Sequence, residues 1–180
     1  MKTGLDAPLV EKIRKIKALV LDVDGVLTDG RIIFDDAGKE LKFFHVRDGH
    51  GIKMLMRTGI EVIFLTGRQS RVVEHRAKDL GIKSVYQGAK NKVAVFNEML
   101  AEKGLKAEET ACMGDDITDV ALFRAAGFSA AVADACAEAR KAADFVTAMK
   151  GGKGAVREVC ELILKAQGNW DEIAEKYELP

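Results

Sequence analysis

Two aspartates stand where an apolar run ends in "LVLDVDGVLTDG". Asp22 closes "LVL", and Asp24 follows two positions later, just before Gly25. Asp115 and Asp116 follow "TACMG" in the same way, and Thr66, Gly67 and Arg68 follow "EVIFL". Each group comes directly after a short apolar run of the kind that forms a buried strand. If those strands lie parallel and side by side, their carboxyl ends share one edge, which is where open α/β sheets bind ligands. That edge then collects at least four carboxylates, a hydroxyl and a guanidinium. Carboxylates gathered this way repel one another unless a cation joins them. Hard oxygen donors favour magnesium, and magnesium on a few carboxylates with open positions is a common way to handle phosphate. A strand that breaks at Gly25 lets the two aspartates share a site in different roles. One carboxylate can bind metal and attack phosphorus, while the other gives a proton to the departing oxygen and later takes one from water. Thr66 and the Gly67 amide can hold phosphoryl oxygens, and a lysine can neutralise charge.

The elements that must position these groups read as alternating strands and helices. "KALVLDV", "EVIFLTG", "KSVYQG", "TACMGDD", "FSAAVAD" and "ADFVTA" are continuous apolar runs bounded by Gly or Asp, which suits strands buried on both faces. Between them lie helical stretches. "DGHGIKMLMRTG" stops at Gly59, and "SRVVEHRAKDLG" runs from Ser70 as N-cap to Gly81. "KVAVFNEMLAEKG", "ITDVALFRAAG", "CAEARKAA" and "GAVREVCELILKAQG" continue the alternation. The expectation is an α/β, Rossmann-like three-layer sandwich with a central parallel sheet and no cap domain, formed as a single domain over 1–180. Pro8 and Pro180 are the only prolines, and no linker divides the chain. One segment breaks the rhythm. In "RIIFDDAGKELKFFHV", residues 31–46, two β-rich arms flank Asp35-Asp36-Ala37-Gly38, a composition suited to a hairpin with Gly38 at positive φ.

Composition narrows the function classes. Lys plus Arg and Asp plus Glu each number 28, for a formal net charge of zero, so nothing suggests a nucleic-acid or membrane-surface partner. No apolar run approaches the roughly 20 residues of a membrane span. "MKTGLDAPLVEKIRKIK" lacks the apolar centre of a signal peptide. Cys112, Cys136 and Cys160 are odd in number and widely spaced, and read as reduced thiols in a cytoplasmic protein.

The motifs also carry a resemblance. "DVDGVLTDG", "LTGR", Lys92 in "GAKNK" and "GDDITD" are similar to the four ordered motifs of the haloacid dehalogenase superfamily, which consists mostly of magnesium-dependent phosphatases using an aspartyl-phosphate intermediate. "FHVRDGHGIKML", "LTGRQSRVVEHRAKDLGI", "YQGAKNK" and "GGKGAVREVCELIL" resemble its capless family of 3-deoxy-D-manno-octulosonate 8-phosphate (KDO 8-phosphate) phosphatases, from about Ile16 to Gln167. The ends, including a C-terminal extension over 168–180, lie outside the resemblance. It implies Asp22 as nucleophile and Asp24 as general acid/base. It places magnesium on the Asp22 carboxylate, the Asp24 backbone carbonyl and Asp115, with Asp116 and Asp119 orienting their neighbours. Thr66, Gly67 and Lys92 would grip the phosphoryl group. Arg68 and Arg76 would face the sugar acid, whose carboxylate suits a guanidinium. A homotetramer is also implied, with hairpins joined in a central barrel and each site completed by a neighbour.

Plainer readings stand beside these. Thr66 can cap the next helix, Lys92 can be a solvated first-turn lysine, and Asp119 can be structural. Arg76 lies on a charge-rich helix and can be a solvated face. His45, His50 and His75 lack metal-like spacing and read as ordinary. "GGKGAV" lacks the spacing of a phosphate-binding P-loop; it is either a tail that closes over the site or a turn before the last helix. Two other functions fit the superfamily: phosphatases of nine-carbon sugar-acid 9-phosphates, and non-catalytic assembly modules. The former family tends to carry an acidic residue after "TG", where this chain has Arg68. The latter should lose Asp22, Asp24, Lys92 or Asp115, and this chain keeps all four.

Overall fold

The structure is a computed structural model and describes residues 6–178. The first five residues of the expected 1–180 domain, and the last two of its 168–180 extension, lie outside that range. Helix α1 (Ala7–Arg14) leads into β1 (Ala18–Leu21). A hairpin, β2 (Ile33–Phe34) and β3 (Glu40–Leu41), precedes α2 (Val46–Arg57). Strands and helices then alternate through β4 (Glu61–Leu65), α3 (Arg71–Leu80), β5 (Ser84–Tyr86), α4 (Lys92–Lys103), β6 (Thr110–Gly114), α5 (Ile117–Ala125), β7 (Phe128–Ala131), α6 (Ala137–Ala142) and β8 (Phe145–Val146). Helices α7 (Ala155–Ala166) and α8 (Trp170–Lys176) complete the order.

Six strands form one parallel sheet in the order β5-β4-β1-β6-β7-β8. Strand β1 lies between β4 and β6, with Leu21 opposite Phe64 on one side and Met113 on the other. The chain builds outward from β1 in one direction and then in the other. The crevice beyond the end of β1 is therefore a topological switch point. Strands β1, β6 and β7 are buried at every position, which explains their unbroken apolar runs: helices cover both faces of the sheet. Helix α7 packs against α2 and α1, while α4, α5 and α6 pack as a second group. This is the expected Rossmann-like sandwich.

The hairpin differs from expectation. Its paired arms are only Ile33–Phe34 and Glu40–Leu41, and Val46, expected in the second arm, begins α2. The turn itself is as read: Gly38 has φ +75°, and Asp35 Oδ1 accepts the Ala37 and Lys39 amides at 3.0 and 2.7 Å. Helix α1 escaped the sequence reading although Asp6 caps it, accepting from the Leu9 amide at 3.2 Å, with Pro8 in its first turn.

Candidate active site

Beyond the end of β1 lies a cleft of about 630 Å³, lined by Asp22, Asp24, Thr66, Gly67, Arg68, Lys92, Asp115 and Asp116 among others. Asp22 is still held to the sheet, its amide donating to Met113 O at 3.1 Å. The chain then coils tightly, and the amides of Val26, Leu27 and Thr28 all point at Val23 O. Gly25 makes this possible twice over. Its φ is +93°, and a Cβ there would lie 2.0 Å from Asp115 Oδ2, so the loop and the end of β6 meet only because Gly25 has no side chain. Behind the loop sits the "GGKG" segment. Gly152 N donates to Val26 O at 2.9 Å, and a Cβ on Gly151 would lie 1.7 Å from Gly25 O. Its far end is capped by buried Asp48, which accepts from the Gly154 and Arg157 amides at 3.2 and 2.8 Å. Of the two readings of this segment, the structure has the turn, packed as a buttress under the loop after β1.

The charges in the cleft form an ordered cluster. Lys92, the first residue of α4, is buried rather than solvated. Its Nζ lies 3.1 Å from Asp22 Oδ1 and 2.6 Å from Asp119 Oδ1. Burial works against its charge, but Asp22 and Asp119 outweigh that and hold its pKa above the ordinary lysine value. Asp119 is fully buried. Its other oxygen accepts the Asp115 and Asp116 amides at 3.0 and 3.3 Å, so it fixes both Lys92 and the turn after β6. Burial raises Asp22 to about 6 against the pull of Lys92. Burial, then repulsion from Asp22, Asp119 and Asp116, raises Asp115 to about 7.

This donor set fits a hard divalent cation. Asp22, Asp115 and Asp119 offer carboxylate oxygens within 4.8 Å of one another. Asp119 is already committed on both oxygens, so Asp22 and Asp115 remain to take a cation, and a cation relieves the repulsion that raises them.

The opposite wall comes from the turn after β4, which the hairpin meets through Glu40 and Arg68. Thr66 is buried, and its Oγ1 accepts the Arg68 amide at 3.4 Å; it caps no helix, since Ser70 holds that position for α3. Ser70 does not cap with its side chain either, because its hydroxyl donates to Glu40. Gly67 lines the cleft with open space above it, where a Cβ would meet nothing nearer than Ala89 O at 3.8 Å. Arg68 Nε lies 3.6 Å from Asp24 Oδ2, and Arg68 Nη2 lies 3.2 Å from Glu40 Oε1. Two functional candidates went unread in the sequence. Lys42 Nζ donates to Asp24 Oδ1, and Glu40 Oε1 lies 3.2 Å from the same ammonium. Their spacing was the available signal: positions 40 and 42 of one extended arm share a face, opposite Leu41 and Phe43.

Not every predicted residue arrives. Arg76 is absent from the cleft lining; it pairs with Asp79 at 2.7 Å and lies over the Phe44 ring at 5.4 Å. Asp116 does reach the cleft, at its exposed rim, where it caps α5 through the Ile117 amide at 2.8 Å. The histidines lie elsewhere: His45 precedes α2 near Asp48, His50 meets the Tyr177 hydroxyl at 3.0 Å, and His75 sits on α3.

A family model of haloacid dehalogenase-like hydrolases matches residues 84–159. The chain is 46% identical, over 93% of its length and 89% of the relative's, to the 3-deoxy-D-manno-octulosonate 8-phosphate phosphatase KdsC of Escherichia coli strain K12. The chain belongs to the KDO 8-phosphate phosphatase family. Solved structures agree. The Moraxella catarrhalis phosphatase, 41% identical, superposes with a TM-score of 0.93 over 94% of this chain and 98% of that one, and was determined in complex with a magnesium ion, a phosphate ion and KDO. The cobalt-bound Haemophilus influenzae phosphatase, 47% identical, superposes with a TM-score of 0.84 over 87% of this chain and 92% of that one.

Proposed function

We propose that this chain hydrolyses the phosphate monoester of KDO 8-phosphate to KDO and phosphate with magnesium as cofactor. The observation that carries the reading is the Asp22–Lys92–Asp119–Asp115 cluster, complete and ordered at the switch point of a chain in this family. A non-catalytic assembly module has no reason to bury such a cluster, since each ion costs several kcal/mol to desolvate.

In this reading Asp22 attacks phosphorus. The bond to the sugar oxygen breaks as an acyl phosphate forms, and Asp24 protonates that oxygen. Water then attacks the acyl phosphate, passing a proton to Asp24 and releasing phosphate and free Asp22. Thr66, the Gly67 amide and Lys92 hold the phosphoryl oxygens. The Asp22 carboxylate, the Asp24 carbonyl and Asp115 hold magnesium, which when bound supplies the positive charge that lets a phosphate dianion approach these aspartates. Asp119 positions Lys92 and the Asp115 turn. Arg68 is the arginine of this chain assigned to the sugar carboxylate; it borders both the catalytic cleft and an adjoining one of about 670 Å³ beside Phe34, Ser70 and His75.

In this reading residues 1–180 are one domain of a cytoplasmic homotetramer. Ile32, Phe34, Leu41, Phe43 and Val46 are 43–79% exposed around the hairpin. An apolar surface of this kind calls for a partner and supports a homotetramer. The described residues contain no helix long and apolar enough to cross a membrane. Three free thiols suit a reducing cytoplasm.

A phosphate-release screen over sugar phosphates, with magnesium and with chelator, tests the reading. KDO 8-phosphate should be the fastest substrate, and chelator should abolish release. Faster hydrolysis of a nine-carbon 9-phosphate would reassign the substrate, and no release from any ester would return the assembly module.

A further inference from the structure

The hairpin raises a question its apolar residues do not answer. Its paired arms are two residues each, and Phe34, Leu41 and Phe43 stand exposed. Yet the Lys42 side chain beside them is only 1% exposed. Burying an ammonium is costly unless it is paired, and this one is paired to the acid/base candidate. Lys42 Nζ donates to Asp24 Oδ1 and lies 3.2 Å from Glu40 Oε1. Glu40 is fixed in turn, accepting from the Ser70 hydroxyl and, at 3.2 Å, from Arg68 Nη2. The consequence falls on Asp24. One carboxylate oxygen is tied down, while Oδ2 is buried with no hydrogen-bond partner, and Arg68 Nε at 3.6 Å is too far to donate to it.

We propose that Lys42 is the positioning residue for Asp24. By holding Oδ1 it leaves Oδ2, now covered beside Arg68, as the oxygen that carries the proton to the leaving group once Arg68 turns to the substrate, and Glu40 holds Lys42 in register. The hairpin thus contributes to the chemistry from within its own chain. The inference rests on the acid/base role proposed above for Asp24.

Leaving-group dependence tests it. An alkoxide needs a proton as the phosphorus–oxygen bond breaks, whereas p-nitrophenolate does not. Steady-state constants for KDO 8-phosphate and p-nitrophenyl phosphate are to be compared in wild type, Asp24→Asn, Lys42→Met, Lys42→Arg and Glu40→Gln, at saturating magnesium. General acid–base catalysis contributes roughly 100- to 10,000-fold. Lys42→Met is therefore expected to lose about 30-fold or more in kcat/KM on the sugar phosphate, expressed in kcat, and under about 3-fold on the aryl ester. Glu40→Gln should move the same way by less, and Lys42→Arg should recover part of the difference. The ratio of the two substrates is independent of the folded fraction, so poor folding of one variant does not mask it. An unchanged ratio in Asp24→Asn would remove the acid/base role itself. A shifted ratio in Asp24→Asn with none in Lys42→Met would overturn the positioning inference alone, as would a Lys42→Met loss confined to KM.

Discussion

Protons and magnesium must compete for the same two carboxylates, and the structure sets the size of that competition. Burial and repulsion put Asp22 at about 6 and Asp115 at about 7, against an ordinary value of 3.8. Metal binds the ionised forms. From these values, both carboxylates are ionised in about three-quarters of metal-free molecules at about pH 7.5, but in under about 1% at about pH 5.5. Apparent magnesium affinity should therefore fall roughly a hundredfold over that interval, or about 3 kcal/mol. Two ordinary carboxylates would lose only about 4% of their ionised population over the same range. The sign has a second consequence. The native state holds these protons more tightly than the unfolded chain does. The metal-free protein should lose stability as pH rises from about 4 to about 7, and magnesium should restore it. Calorimetric titration of the metal-free protein with magnesium, at several pH values, measures the first effect, and thermal unfolding with and without chelator measures the second. An affinity that changes less than about threefold between about pH 7.5 and pH 5.5 would refute the reasoning, because the two carboxylates would then not be held as close and as dry as they are placed.

Four further outcomes are expected. Asp22→Asn should lose several orders of magnitude in KDO 8-phosphate turnover while remaining folded by circular dichroism; more than about a tenth of wild-type turnover would exclude covalent catalysis by this residue. Gly25→Ala places a Cβ 2.0 Å from Asp115 Oδ2 at a φ of +93°; it should cost about 1–3 kcal/mol in thermal unfolding and weaken magnesium binding at least about tenfold by titration. Arg68→Ala should raise KM for KDO 8-phosphate far more than for a small phosphate ester lacking a carboxylate, and equal effects would move Arg68 out of sugar recognition. Phe43→Asp should lower the mass seen by light scattering, and a wild-type protein that runs as a fully active monomer at micromolar concentration would remove the argument from the exposed hairpin.

The strands, their order of appearance and the residues at their ends were readable because each depends on local pattern. An apolar run closed by Asp22 or Gly114 says that a buried strand stops there, and a parallel sheet then brings such ends to one edge. Asp22, Asp24, Thr66 and Asp115 were found this way, and motif order identified Lys92. What the sequence could not supply was where long side chains go after leaving the backbone. Lys42 and Asp24 are 18 positions apart and meet only because the hairpin folds back over the loop after β1. Arg76 looked equally able to reach the cleft, yet the rotation of α3 sends it to Asp79 and Phe44. The "GGKG" segment reads equally as a closing tail or a turn, and only packing shows the turn wedged against Gly25, where no side chain would fit. The physical difference is one of range. Periodicity and turn chemistry act over a few residues and are written in the chain. The partner of a flexible charged side chain depends on which surfaces pack together, and that is settled only when the sheet, the helices and the hairpin are assembled.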